Sequence, residues 1–208
     1  MTSKPDTREC ILEAAMERIM HYGYAKTTMS EIARDCGMSA GNIYRFFASK
    51  LDIAEAMARK FNLELLQQLA GIARREESAS DRLYALLYHQ FSSTYDKLAS
   101  DAKILEVAEV LSYERPTFAN EELAQERIHL VAVLEDGVKR GEFAAMDDAS
   151  YTAEMLQSAT MKFRYPQLFS RLSLEQLQRE FDGVMALLLA GLKTGAIKVA
   201  KRPARAAG

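Results

Sequence analysis

Thr27–Lys50, TTMSEIARDCGMSAGNIYRFFASK, is the stretch that decides the fold. Thr28, Met29, Ser30 and Glu31 have the capping-box form, in which a Thr hydroxyl satisfies one orphan backbone N–H and a Glu three residues on satisfies another, so a short helix is expected from Thr28. Ile32, Ala33 and Cys36 fall on one side of that helix. Gly37 follows where a left-handed residue ends a helix. Ser39 then caps a second short helix, Ala40–Phe47, with Ile43 and Phe47 inward and Ala40, Gly41, Asn42, Tyr44 and Arg45 free. Two short helices joined by a Gly-Met-Ser turn make a helix-turn-helix, whose second helix is the part that enters a DNA major groove.

Around this motif the chain reads as helices throughout. A first helix, Thr7–Tyr22, carries Ile11, Leu12, Ala15, Met16 and Ile19 on one stripe and is closed by Gly23. Ser49, with Asp52 three residues on, caps a long fourth helix that reaches about Ala73. A fifth is expected over Ser80–Leu98, a sixth over Asp101–Tyr113, and a seventh from beyond Pro116 to Arg140 and Gly141. An eighth is expected over Asp148–Phe163, stopped by Pro166. A ninth opens at Ser173, with Gln176 as its capping-box partner and Phe181, Val184, Met185, Leu188, Leu189 and Leu192 on one face.

The motif resembles the DNA-binding domain of the tetracycline-repressor (TetR) family of bacterial regulators, which ends in a pattern of the type G-V-S-x-x-x-L-Y-x-H-F-x-S-K. Gly37, Met38, Ser39, Ile43, Tyr44, Phe46, Phe47, Ser49 and Lys50 carry the resemblance, which extends over about residues 7 to 53. Phe46 stands where the family often has His and offers no polar group to phosphate or base. The resemblance implies an all-α chain of about nine helices. Residues 1–50 would form the helix-turn-helix domain, 51–193 a helical domain for effector binding and dimerisation, and 194–208 a disordered basic tail. It also implies a homodimer paired through its last two helices as a four-helix bundle, and a repressor that leaves operator DNA when a small molecule binds.

Composition is consistent with that assignment. Half of the 208 residues are apolar, enough for a sizeable core, and the formal net charge is −2, too little for a general polyanion binder. The charge is uneven: residues 1–50 hold seven Lys/Arg against six acids, and residues 51–192 hold fifteen against twenty-three. Such a distribution orients the head toward DNA. The absence of a long apolar run and of a signal-peptide pattern makes the expected location cytoplasmic. The two cysteines, Cys10 and Cys36, both lie in the head on apolar faces, where small buried thiols are the ordinary reading and a redox switch the rarer one.

The expected DNA contacts are Thr27, Thr28, Ser39, Ala40, Gly41, Asn42, Tyr44, Arg45 and Lys50. Asn42 is the candidate base reader, since a carboxamide pairs bidentately with adenine, and Ala40 is small enough to meet a thymine methyl. Thr27, Thr28 and Lys50 sit at helix starts and would hold phosphates, as they do in the family, although the Thr28 hydroxyl serves equally as a helix cap. Tyr84, Tyr88, Phe91 and Tyr95 on the fifth helix, with Met155, Thr160 and Phe163 on the eighth, recur at helical spacing and would line an apolar effector pocket or, more commonly, plain core. His89 and Gln157 nearby are expected to be exposed. Glu126 and His129 form a single Glu-x-x-His, the unit of di-iron bundles, which supports the rival assignment of a helical-bundle enzyme or metal carrier; a surface helix is the plainer expectation. Paired zinc ligands, a phosphate-binding glycine loop and a nucleophile elbow are missing from the sequence, so neither metal, cofactor nor catalysis is expected.

Overall fold

A computed structural model describes residues 6–100, 103–165, 168 and 172–195. Among these residues the chain forms α1 (Thr7–Tyr22), α2 (Met29–Asp35), α3 (Ala40–Ile43), α4 (Lys50–Ala73), α5 (Ala79–Ser100), α6 (Lys103–Glu114), α7 (Phe118–Lys139), α8 (Ala149–Ala159), a 3-10 turn (Met161–Arg164) and α9 (Leu174–Thr194), with no strand. The all-α class and the nine helices match the expectation. The expected start of α6 at Asp101, the stop at Pro166 and most of the basic tail lie outside the described residues.

Two boundaries differ from the sequence reading, each for a local reason. The recognition helix has four residues instead of eight, because beyond Ile43 its backbone tightens: Arg45 N–H donates to Asn42 O and Phe46 N–H to Ile43 O, the i to i+3 pattern. α8 stops at Ala159 rather than running to Phe163. There the Thr160 hydroxyl donates to Leu156 O at 2.8 Å, drawing the backbone out of helical geometry into the 3-10 turn.

The chain divides into two compact units, Met1–Ala70 with Ser92–Glu126, and Gly71–Phe91 with Arg127–Gly208. The first does not end at residue 50. α4 starts at Lys50 and carries Ile53 and Met57 into the core that Ile11, Leu12, Ala15 and Ile19 of α1, Met29, Ile32 and Ala33 of α2, and Ile43 and Phe47 build together. Val107 of α6 packs against the same core. α6 is also tied at both ends: Lys103 Nζ donates to Met20 O and His21 O at the end of α1, and Arg115 donates to Asp52 and Glu55 of α4. Arg59 of α4 pairs with Glu55, Glu121 and Glu122, joining α4 to the start of α7.

α1 and α2 are fastened by Arg18, whose guanidinium takes Asp35 through two bonds of 2.6 and 3.1 Å and Glu31 at 3.2 Å. The Thr28 hydrogen bond, with Arg18 beside it, holds the Glu31 carboxyl below its ordinary range, and the Arg18 bond does the same for Asp35.

In the second unit the core is aromatic. Tyr84, Tyr88, Phe91, Phe163 and Phe181 interlock with ring centroids 5.3 to 5.8 Å apart. Gly137 of α7 sits against Phe143: a Cβ at Gly137 would lie 2.2 Å from the Phe143 ring and 2.8 Å from Ala79 Cβ.

Gly137→Ala is therefore expected to destabilise by about 1–3 kcal/mol through overpacking. Gly71→Ala, at an exposed helical position where a Cβ meets nothing within 4 Å, is expected to stabilise by roughly 0.5–1 kcal/mol. Urea melts of the two variants check the opposite signs. Acid titration checks the α1–α2 fastening. Glu31 and Asp35 titrate lower in the folded head than in the unfolded chain, so their contribution is complete above the ordinary carboxylate range and is lost as pH falls below it. Arg18→Gln should lie below wild type in urea midpoint near neutral pH, and the gap should narrow as pH falls below the ordinary carboxylate range and the two carboxyls take up protons.

Candidate nucleic-acid interface

The recognition segment is presented by the turn that precedes it. Gly37, at φ +65°, takes the left-handed conformation that ends α2, and Met38 N–H returns to Ala33 O at 2.9 Å. Ser39 begins α3 as its N-cap residue, but its hydroxyl makes no capping bond and faces outward, free for another acceptor or donor. Ile43 is 0% and Phe47 3% exposed, and these two side chains fix the segment to the head. The opposite face presents Ser39, Ala40, Gly41, Tyr44 and Arg45 to solvent, with Tyr44 more than half exposed. A Cβ at Gly41 would meet nothing, so no protein packing demands a glycine there. Asn42 is half-buried at the edge of this face, not fully free as its spacing suggests, because it follows the turn of helix on which Ile43 is drawn in.

The residues at the other helix starts are placed differently from the exposed face. Thr28 forms the expected capping box: its hydroxyl accepts from Glu31 N–H at 3.3 Å and donates to the Glu31 carboxylate at 2.8 Å. Thr27 is buried, 1% exposed, and its hydroxyl donates to Gly23 O at 2.9 Å, so its side chain shapes the turn before α2 and does not reach the surface. Lys50 is half-buried. Its ammonium donates to Tyr24 O at 2.7 Å and Thr27 O at 2.8 Å and lies 4.1 Å from the Tyr24 ring centroid, so two of its three N–H donors are spent on the turn. Burial pushes the Lys50 amine below its ordinary range.

The same turn is gripped from α6, a feature the sequence reading did not find. Tyr24 N–H donates to Glu106 Oε2 at 2.9 Å, and the Glu106 carboxylate lies so close to Gly23, at φ +89°, that a side chain there would collide with it. Glu106 is 82 residues away in sequence, and no local pattern announces the pairing.

The residues suggested for an effector are only partly brought together. Tyr84, Tyr88, Phe91 and Phe163 meet, with Phe181 of α9 as the partner that spacing alone did not assign to them; Tyr84 Oη donates to Asp182 at 2.6 Å. Phe91 and Phe163 are buried, and Thr160 is buried with its hydroxyl on its own helix. Met155 is exposed on α8, and Tyr95 belongs to the other compact unit. Gln157, expected at the surface, is 2% exposed because its Oε1 accepts from Arg127 Nε at 2.9 Å, and His89 is half-buried. Glu126 is likewise buried rather than on a surface face, with His129 half-buried, since that side of α7 is turned inward. Among the described residues no cluster of three or more His, Cys, Asp or Glu is placed to hold a metal, and no helix is long and apolar enough to cross a membrane.

Comparison with known proteins agrees with this architecture. Residues 11–57 match the family described as bacterial regulatory proteins, tetR family, and residues 79–185 match the tetracyclin repressor-like C-terminal domain. The fatty acid metabolism regulator protein of Bacillus subtilis is 25% identical over 150 residues, 70% of this chain and 75% of that protein. The transcriptional repressor KstR2 of Mycobacterium tuberculosis is 24% identical over 184 residues, 88% of this chain and 90% of that protein. The match to the regulator BetI of Agrobacterium fabrum takes in 44% of that protein. Among solved structures, FadR from Bacillus subtilis in complex with stearoyl-CoA superimposes with a TM-score of 0.66 at 22% identity, covering 88% of this chain and 98% of that one. With both its head and its body matched, the chain belongs to the tetR family of bacterial regulatory proteins and is a DNA-binding transcriptional regulator.

Proposed function

We propose that this protein is a dimeric repressor that holds operator DNA through the face Ser39–Arg45 and releases it when a small, largely apolar molecule enters the aromatic cluster of the second unit. The observation that carries the DNA half is the contrast along one short segment: Ile43 is sealed in the head while Ser39, Ala40, Gly41, Tyr44 and Arg45 are exposed to solvent, and nothing packs against Gly41. Ala40 and Gly41 let the helix backbone approach the groove, Asn42 reads a base, and Ser39, Tyr44 and Arg45 hold phosphate or base edges. Thr28 and Lys50 work at the phosphate backbone, Lys50 with its remaining donor, whereas Thr27 shapes the turn and adds at most its main chain.

Support for a dimer comes from α8 and α9, which leave Tyr151, Met155, Leu174 and Leu187 exposed, Leu187 at 77%, with Gly183 of α9 open to close approach. A two-fold through these helices would set two recognition helices about 34–36 Å apart, or a multiple, on a near-palindromic site. Support for an apolar effector comes from the ring cluster itself, and from the ligands in two structures of the same fold, stearoyl-CoA with FadR and triclosan with SmeT. Phe91 and Phe163 are buried, so a ligand entering among them must part the rings, and that displacement is what would shift the protein toward a form that does not fit DNA. Among family members and relatives that act as regulators, a metal carrier built on Glu126 and His129 gains no support.

Affinity measurements on a duplex selected by the protein from a random library test the roles. Asn42→Ala should relax preference at one base pair per half-site at about 1–3 kcal/mol. Lys50→Ala should weaken all sequences alike and lower the salt slope by about one. If Lys50 acts only through the Tyr24–Thr27 turn, the variant will lose thermal stability with its salt slope unchanged. Leu187→Asp should yield monomers by light scattering, together with loss of binding to the paired half-sites; a dimer that persists would remove α9 from the interface. For the effector, Tyr88→Ala should leave duplex binding nearly intact while reducing release by long-chain acyl thioesters or chlorinated phenyl ethers. Joint loss of DNA binding and thermal stability would show the cluster to be core alone.

A further inference from the structure

The chain has two cysteines, separated by 26 positions, and the fold of the head brings them together. Cys10 lies in the first turns of α1 and Cys36 is the C-cap of α2, immediately before the Gly37 turn that leads into the recognition helix. The Cys36 thiol donates to the Cys10 carbonyl at 3.3 Å, which sets the two residues side by side across the α1–α2 contact. Both are free thiols on half-buried residues. Cys36 packs against the edge of the head core, whose buried positions are aliphatic side chains, Met29, Met57 and Phe47.

We propose that Cys10 and Cys36 are a modification site for a two-electron oxidant of the hydroperoxide class, and that their oxidation to an internal disulfide weakens DNA binding. In the first step the Cys10 sulfur attacks the peroxide O–O bond, giving a sulfenic acid and, from hydrogen peroxide, water. In the second the Cys36 sulfur attacks the Cys10 sulfur. The S–S bond forms, the S–O bond breaks, and the hydroxyl leaves with the Cys36 proton as a second water. Two thiols give up two electrons, and the peroxide oxygen takes them. Burial and the neighbouring Cys10 thiol push Cys36 up to about 12, so it stays protonated at neutral pH, bonded to the Cys10 carbonyl and held against its partner. Cys36 is thus the resolving thiol, and contact with Cys10 compensates for its low acidity.

The consequence for DNA follows from where Cys36 stands. A disulfide holds its sulfurs about 2 Å apart, so oxidation removes the Cys36 proton that bonds the Cys10 carbonyl and ties the end of α2 covalently to α1. Gly37, Met38 and Ser39 follow Cys36 directly, and α3 after them has only four residues to absorb the change. The recognition face moves while its anchors Ile43 and Phe47 stay in the core.

The test uses the full chain and the duplex selected from a random library by the reduced protein, the proposal resting on the DNA-binding function. After hydrogen peroxide, peptide mapping without reductant should give one linked pair containing Cys10 and Cys36, with both thiols lost to titration. Duplex binding should weaken by roughly tenfold or more, the equivalent of one lost base contact, and dithiothreitol should restore it. Cys10→Ser and Cys36→Ser, close in shape to the native residues, should bind as the reduced protein does and form no internal link after peroxide, and Cys10→Ser should keep its affinity through the treatment. Thiols that still titrate after oxidation, a link between two chains, or an internal link with unchanged affinity would each overturn the proposal. A reduced protein that selects no duplex would count against the DNA-binding face instead, and the link would still be scored by mass.

Discussion

A recognition helix of four residues cannot stand by itself. Helix nucleation fixes several residues for one hydrogen bond, and isolated helices shorter than about 12–15 residues are marginal in water. α3 exists because Ile43 and Phe47 are buried in the core built by α1, α2 and α4, each contributing about 1.5–3 kcal/mol by burial. The rest of the head is arranged around that constraint: α1 and α2 supply the apolar wall, and α4 closes it with Ile53 and Met57. The exposed face is free to be small and polar because the buried face alone holds the helix.

Orientation of that core is set by polar contacts from distant parts of the chain. Lys50 takes the carbonyls of Tyr24 and Thr27, Glu106 takes the Tyr24 N–H, and Lys103 takes the last carbonyls of α1. These supply further partners to backbone groups at the end of α1 and in the α1–α2 connection, where Tyr24 O also accepts from Thr27 N–H, in keeping with the general requirement on turns packed against protein. They also make α6 part of the same compact unit as the head. Arg59 and Arg115 continue the arrangement along α4, where two guanidiniums meet Asp52, Glu55, Glu121 and Glu122. Exposed pairs of this kind contribute little singly, but a network fixes geometry.

The second unit follows a different logic, with a core of interlocked rings in place of a thin aliphatic wall. Such a core resists single rearrangements, since moving one ring exposes several, and it offers an apolar guest contacts that replace those it displaces. The outward faces of α8 and α9 keep Tyr151, Met155 and Leu187 in water, an arrangement that a partner surface would relieve.

Local physics determined what the sequence by itself could show. The capping boxes at Thr28 and Ser173, the left-handed Gly37 and the stripe of Ile11, Leu12, Ala15 and Ile19 each act within a few residues, so helix positions and the recognition segment were legible from spacing. Tertiary structure alone decided which polar groups stay available. Thr27 and Lys50 look alike in sequence as phosphate contacts, yet one is buried under Gly23 O and the other is bound to two carbonyls, because both partners come from the folded turn. Glu106 on Tyr24, Gln157 under Arg127, and Cys36 on Cys10 are pairings across 82, 30 and 26 positions. Spacing along a helix gives the side of the cylinder on which a residue stands, and only the packing of other helices gives what meets it there.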